Sequence, residues 1–397
     1  MKIRRSLSHH GGALRHGGDE DAAARLRRAF EIAAVEEPDR LSHAFHSYPA
    51  RMHPAIARII LEDFADEGEL VVDPFAGSGT VPIEAMVRGI RSVGFDRNPL
   101  AIRLARVKAT PLDQEEGARL EELARLICAR SEERVRARTP VIAPLPREEI
   151  RYYEGHILKE LAGLREEILA HTEEGSFERE LSLMVFSSII LKFSRQEAET
   201  RENLVEKRLR KGLVTEFFVR KFFETVGRLR ALDAVLPPDV IPAAFFEEDA
   251  LQIRHRFEKK KADLIFTSPP YGGVYDYRDH HARRYPWLGI DASKFARDEF
   301  GAKRAFFRRG TVERWERALL SMLTAFAEAL SAEGRVVLML GDALVGGEII
   351  PAEEQVARLA PRAGLVPIAH VSEARRGAPA SRRRPEEHLI YLERAGS

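Results

Sequence analysis

Two hydrophobic periods alternate along the chain. Short apolar runs of strand length, VVD at 71–73, SVGF at 92–95, DLIFT at 263–267, GRVVLMLGD at 334–342 and HLIYLER at 388–394, are separated by stretches with helical spacing. That spacing predicts a surface helix from Asp19 to about Glu37, whose first-turn acids suit the helix macrodipole. Further helices are predicted over Ala55–Phe64, about Val81–Arg88, about Thr311–Ser331 and near 352–363. A short strand within AAFFEEDALQ, 243–252, runs into Asp249 and Ala250. Strands interleaved with helices predict an α/β fold with a mostly parallel sheet.

The pattern changes between 112 and 243. This stretch is charged, helix-rich and broken at TPVIAPLPREE (139–149) and LPPDVIP (236–242), with no strand of the sheet in view. It reads as a helical insertion that splits the α/β unit. The expected divisions are a tail and surface helix over 1–40, a first core part over 41–111, the insertion over 112–243 and a second core part over 244–397. Residues 1–18, rich in Gly, His and Arg without periodicity, read as a mobile tail.

Composition adds limits. The chain has 397 residues and a net charge of +1, so any nucleic-acid contact must come from local basic patches. Three stretches qualify: 201–230, with nine Lys or Arg against four Glu, 297–317, and 375–385, with five Arg and no acid. The single cysteine, Cys128, excludes an internal disulfide framework and a Cys-based zinc site, and its surroundings offer nothing to activate a thiol. No metal is expected, the His9–His10 pair having no partnering ligand pattern. With no signal-peptide core and no run long enough to span a bilayer, a cytoplasmic setting away from membranes is expected, and the oligomeric state stays open.

The chemistry concentrates at strand ends. VVDPFAGSGT places Asp73, Pro74, Phe75 and the turn Gly77-Ser78-Gly79-Thr80 between a strand and a helix. It matches neither GxGxxG nor a Walker loop. A carboxylate before the glycines would repel phosphate but suits a cationic amino group, which favours an amino-acid-bearing nucleoside. The second strand ends in Asp96-Arg97-Asn98, where an acid can accept from both hydroxyls of a ribose. Farther on, DLIFT leads directly into Ser268-Pro269-Pro270-Tyr271, a strand exit that two prolines make rigid.

Together these motifs resemble the class I S-adenosylmethionine-dependent amino-methyltransferases of DNA, and most of all the site-specific cytosine-N4 enzymes. DPFAGSGT is similar to that family's cofactor loop, FDRNP to its ribose-binding strand end, and SPPY to its catalytic tetrapeptide. YPARMHP, holding Tyr48, Arg51 and Met52, resembles the segment beside the methionine part of the cofactor. The resemblance implies a Rossmann-like seven-stranded, mostly parallel sheet with helices on both faces, S-adenosyl-L-methionine as cofactor, and Asp249 and Ala250 at its adenine. It also implies that Ser268 and the Pro269 carbonyl accept the hydrogens of an exocyclic amine while Tyr271 stacks on a flipped base.

Ser268 favours cytosine N4 over adenine N6, where Asp is commoner at the first position of the tetrapeptide. Carbon-5 methylation is excluded because it needs a cysteine nucleophile that Cys128 does not supply. DNA is the preferred partner, with a restriction-modification setting implied by the resemblance and RNA the main competitor. A silent nucleic-acid-binding protein would have lost SPPY or Asp73, and a small-molecule methyltransferase would not need the basic stretches.

Overall fold

The computed structural model describes residues 10–49, 51–196, 203–257, 261–273, 277–293, 311–345, 348–374 and 385–396. The basic segment 375–384 and most of 297–317 therefore lie outside the described residues.

The chain enters through strand β1 (Leu14–Gly18) and helix α1 (Glu20–Ala33), capped by Asp19, whose carboxylate accepts from Ala22 N at 2.9 Å. Helix α2 (Pro54–Phe64) follows, then β2 (Leu70–Asp73), α3 (Thr80–Val87), β3 (Arg91–Asp96) and α4 (Pro99–Lys108). The insertion holds α5 (Gln114–Ala137), α6 (Arg147–Ile150), α7 (Gly155–Ala170), α8 (Phe177–Phe193) and α9 (Leu213–Asp233). The core resumes with β4 (Ala244–Glu247), α10 (Ile253–Arg256) and β5 (Ala262–Thr267), then α11 (Tyr277–His281) and α12 (Tyr285–Leu288). Helix α13 (Thr311–Ala329) and β6 (Leu330–Gly341) lead through a small hairpin, β7 (Ala343–Val345) and β8 (Glu348–Ile350), to α14 (Ala352–Leu359), β9 (Leu365–Ala374) and β10 (Glu386–Arg394).

The sheet runs in the order β1-β9-β10-β6-β5-β2-β3-β4. Strands β6, β5, β2, β3 and β4 are mutually parallel, whereas β10 is antiparallel to both β6 and β9. Because successive strand residues point to opposite faces, Leu264 and Phe266 of β5 join Val337 and Met339 of β6 in a core with α1 and α2. Ile265, Val336 and Leu338 face the other way, against Leu319, Leu323 and Phe326 of α13.

Several expectations need correction. Among the described residues the sheet has eight strands, one more than the seven implied. The additional strand is β1, within the supposed mobile tail: Leu14–Gly18 pairs with Glu373–Ala369 of β9, and His10 and Gly11 are tied to the Glu373 carboxylate. Its short, glycine-flanked sequence carries no apolar alternation, which hid it. The helix after it is not merely a surface one, since Ala22, Leu26, Ala29 and Phe30 are buried against the sheet. Strand β9 went unread because its exposed Val366 and buried polar Ser372 and Glu373 blur the period. The strand expected to end in Asp249 and Ala250 stops at Glu247, and Asp249 caps a turn beyond it.

The helices α5 to α9 lie between β3 and β4 and share a core with the rest of the chain. Leu161, Met184, Phe186, Phe218 and Phe222 share one core with Leu100, Leu104 and Val107 of α4 and with Tyr285 and Trp287 of α12. Buried Cys128 belongs to that core, and burial pushes its thiol up to about 12, consistent with a packing role.

Candidate active site

The order β5-β2-β3-β4 places Ser268, Asp73, Asp96 and Asp249 in a row along the carboxyl ends of adjacent strands. At the usual strand spacing, three steps span about 14 Å. That is the crevice where open α/β sheets bind ligands.

Asp73 ends β2 with 4% of its surface exposed. One oxygen accepts from Thr267 Oγ1 at 2.6 Å and from Phe75 N at 3.2 Å. Burial, helped by the nearby Asp96 charge, pushes its carboxyl up to about 7 against these hydrogen bonds. Thr267 is the last residue of β5, immediately before Ser268, so its hydroxyl bonds the glycine-loop carboxylate to the strand carrying the tetrapeptide. Sequence reasoning missed it: nothing in DLIFT distinguishes this Thr from an ordinary strand residue.

The loop is held by its own backbone. Ala76 N donates to Phe95 O at 2.8 Å and Gly77 N to an Asp96 oxygen at 3.0 Å. The other Asp96 oxygen accepts from Asn98 N at 2.8 Å, and Asn98 caps α4. Gly77 (φ 50°) and Gly79 (φ 87°) take left-handed backbone that side chains disfavour, and a methyl at Gly77 would meet the Tyr48 ring at 3.3 Å. Pro74 is buried and Phe75 half-buried. Thr80 opens α3 and is buried.

Other expected cofactor residues are turned to structural work. Ser78 points inward, its hydroxyl 2.9 Å from Nζ of Lys108, which also donates to His43 O at 3.2 Å. Lys108 is fully buried, and desolvation holds its amine well below the ordinary lysine range. Arg51 donates to the carbonyls of His43 and Pro38, and Met52 is packed in the core. Tyr48, also from YPARMHP, lies against the glycine loop at Gly77. Arg97 pairs with Asp249 at 3.2 Å, and Asp249 also accepts from Leu251 N at 2.8 Å, so this acid braces the ends of β3 and β4. Ala250 is buried behind it.

On the catalytic side, Ser268 and Pro270 are partly exposed and Pro269 is buried. Tyr271 is 4% exposed, with its ring so close to Gly341 of β6 that a methyl there would sit 2.5 Å away. A buried polar seam joins this side to the insertion and to Tyr48. Arg284 donates to Ser47 Oγ at 3.0 Å, to Ser187 O of α8 at 3.3 Å and to His281 Nδ1 at 3.1 Å, while the His281 and Tyr48 rings lie 5.0 Å apart. Burial and the Arg284 charge keep His281 neutral, well below the usual histidine range.

The donor set fits S-adenosylmethionine. A buried carboxylate with a raised pKa at Asp73 suits a cationic amino group, the Asp96 carboxylate stands at the neighbouring strand end beside the loop, and bare glycine backbone permits close approach.

Residues 8–107 match a family model described as DNA methylase, of the N6/N4 type. The chain is 32% identical over 85 residues to the type II methyltransferase M.MjaII of Methanocaldococcus jannaschii, covering 21% of this chain and 16% of that protein. It is 37% identical over 76 residues to the type II methyltransferase M.MvaI of Kocuria varians, covering 18% and 17%. A longer similarity, 21% over 300 residues, covers 66% of this chain and 58% of the type II methyltransferase M.BsoBI of Geobacillus stearothermophilus. The matches to M.MjaII and M.MvaI thus span about a sixth of the length of those relatives. Among solved structures, TrmN from Thermus thermophilus aligns with a TM-score of 0.32 at 13% identity, over 86% of this chain and 49% of that one. Over residues 8–107, which hold Asp73, the glycine loop and Asp96, the chain is thus similar to the N6/N4-type DNA methylases, and the groups at this site suit S-adenosylmethionine as cofactor.

Proposed function

We propose that this protein methylates an exocyclic amino group of a nucleic-acid base, with cytosine N4 in DNA as the target. The observation that carries the reading is the bond from Thr267 to Asp73, which fastens SPPY beside the glycine loop. Bound S-adenosylmethionine supplies an electrophilic methyl group. The chain's own residues do the orienting. Asp73 receives the cofactor's amino group, Asp96 its ribose hydroxyls, and the Arg97-Asp249 brace shapes the adenine end.

A ring-conjugated amine is a poor nucleophile because its lone pair is delocalised. Ser268 Oγ and the Pro269 carbonyl accept the two amine hydrogens, favouring a pyramidal nitrogen whose lone pair faces the methyl group. Acceptors fixed by the prolines need little reorganisation. Tyr271 stacks on the flipped base once its ring swings off Gly341. The insertion, rooted in α4 and α12, provides the target-recognition surface, with exposed Arg208 and Lys211 directed at phosphates.

DNA is favoured over RNA because the relatives are type II methyltransferases. The choice of N4 over N6 rests on Ser268 alone. Isotopically labelled S-adenosylmethionine incubated with DNA or RNA, followed by mass spectrometry of the nucleosides, tests both choices. N4-methylcytosine in DNA is expected. Label in N6-methyladenine, or in RNA only, would overturn the respective choice.

A further inference from the structure

Beyond the end of β6 lies a polar cluster that methyl transfer does not use. Asp342 follows the last residue of β6, Glu353 sits in the first turn of α14 and His388 lies in β10, with exposures of 2%, 7% and 0%. His388 Nε2 is 2.8 Å from Asp342 Oδ1 and 3.4 Å from Glu353 Oε2. One donor atom from each residue lies within 4.8 Å of the other two. The second imidazole nitrogen, Nδ1, is 2.7 Å from Ser372 Oγ on β9.

A protonated imidazole explains only part of this arrangement. Nε2 carries at most one hydrogen, so it can serve one of the two carboxylates fully but not both. Carboxylates crowd this place: Arg15 donates to Glu353 and, at 2.9 Å, to Glu386, while Asp342 and Glu353 both approach His388 Nε2.

The donor chemistry matches a metal. One imidazole and two carboxylates from three different elements form a ligand set found for zinc and similar ions. Bonds of about 2.0–2.2 Å in tetrahedral geometry hold neighbouring donors roughly 3.3 Å apart. The 3.4 Å separation meets that already. The shorter one would open by about half an ångström. Ser372 is then the outer partner that fixes the imidazole's orientation.

We propose that Asp342, Glu353 and His388 bind a divalent transition-metal ion, zinc before the others, as a structural clamp joining β6, α14 and β10. The sequence led to the opposite expectation because these ligands come from three separated elements with no Cys or paired-His spacing. The clamp adjoins the active site, since Gly341, on which the Tyr271 ring lies, immediately precedes Asp342.

The test uses the full chain, stripped with chelator and titrated with zinc against a chromophoric competitor, with metal content and thermal midpoint followed in parallel. One zinc per chain is expected, together with a higher midpoint. His388→Ala should abolish both effects. Ser372→Ala, which keeps all three ligands, should weaken binding by about 10–100-fold. Glu353→Gln, similar in size to the native residue, guards against a folding defect in His388→Ala and should also lower affinity at least tenfold. If the stripped protein takes up no zinc, or binds equally well in all three variants, for example through the amino-terminal histidines, the proposal fails.

Discussion

Asp73 and Thr267 show how one side chain can set the behaviour of a site. A carboxyl with a pKa of about 7 is partly protonated in the free protein near neutrality. A bound ammonium favours the ionised form and lowers that pKa, so cofactor binding should release a proton below about pH 7. Calorimetry at pH 6 in buffers of different ionisation enthalpy should show close to one proton released, falling to none by pH 8.5. Equal heats across buffers at pH 6 would refute the assigned role. The sign for stability follows from the same raised pKa. The folded free protein holds this proton more tightly than the unfolded chain, so the group's contribution is greatest at low pH and is lost as pH rises from about 4 through 7. Asp73→Asn should remove that dependence and stabilise the free protein at pH 8 by at most about 4 kcal/mol, while sharply weakening cofactor binding. Thr267→Val removes the donor that joins the two halves of the site and should cost about 1 kcal/mol of stability. Methyl transfer should fall by about 10–100-fold, on the order of 1.4–3 kcal/mol in the barrier. Unchanged kcat and KM would show the bond to be incidental.

At the scale of elements, the glycine loop was the most legible feature and its neighbours the least. The strand, the positive-φ glycines and the acidic strand end follow from local residue chemistry in VVDPFAGSGT and FDRNP. What the loop rests on does not. The inward turn of Ser78 toward Lys108 and the use of Arg51 as a clamp on residues 38–43 depend on tertiary contacts, and a buried Lys looks the same in sequence as a solvated one. The same holds for Arg284, which lies among aromatic and basic residues yet is 1% exposed. Gly77→Ala tests the loop directly. With φ at 50° and the Tyr48 ring at 3.3 Å, the substitution should cost about 1–2 kcal/mol. Thermal melts should register that loss, and equilibrium dialysis should show weaker cofactor binding. Wild-type affinity would mean that Tyr48 does not constrain the loop.

For the whole molecule, the helix-rich pattern of 112–243 was legible in the sequence, but the packing of those helices on the rest of the chain was not. Their apolar residues pack on α4 and α12, so excising 112–243 would bare Leu104, Val107 and Trp287, and loss of function in such a deletion would mix misfolding with lost recognition. Surface charge reversal is the cleaner probe. Arg208→Glu with Lys211→Glu should leave cofactor affinity intact, weaken DNA binding across sequences and reduce the slope of log K against log salt by about 2. An unaltered salt slope would move the phosphate contacts elsewhere.

The amino-terminal strand has a consequence for synthesis. Gly12 and its bonding partner Glu373 are separated by 361 positions, and β1 pairs with β9. During synthesis β1 must therefore wait, unpaired, while the residues between the two strands are made, and unpaired edges invite association between chains. Translation pauses between β1 and β9, or crowding of nascent chains, should then favour aggregation more than pauses after β9 has emerged.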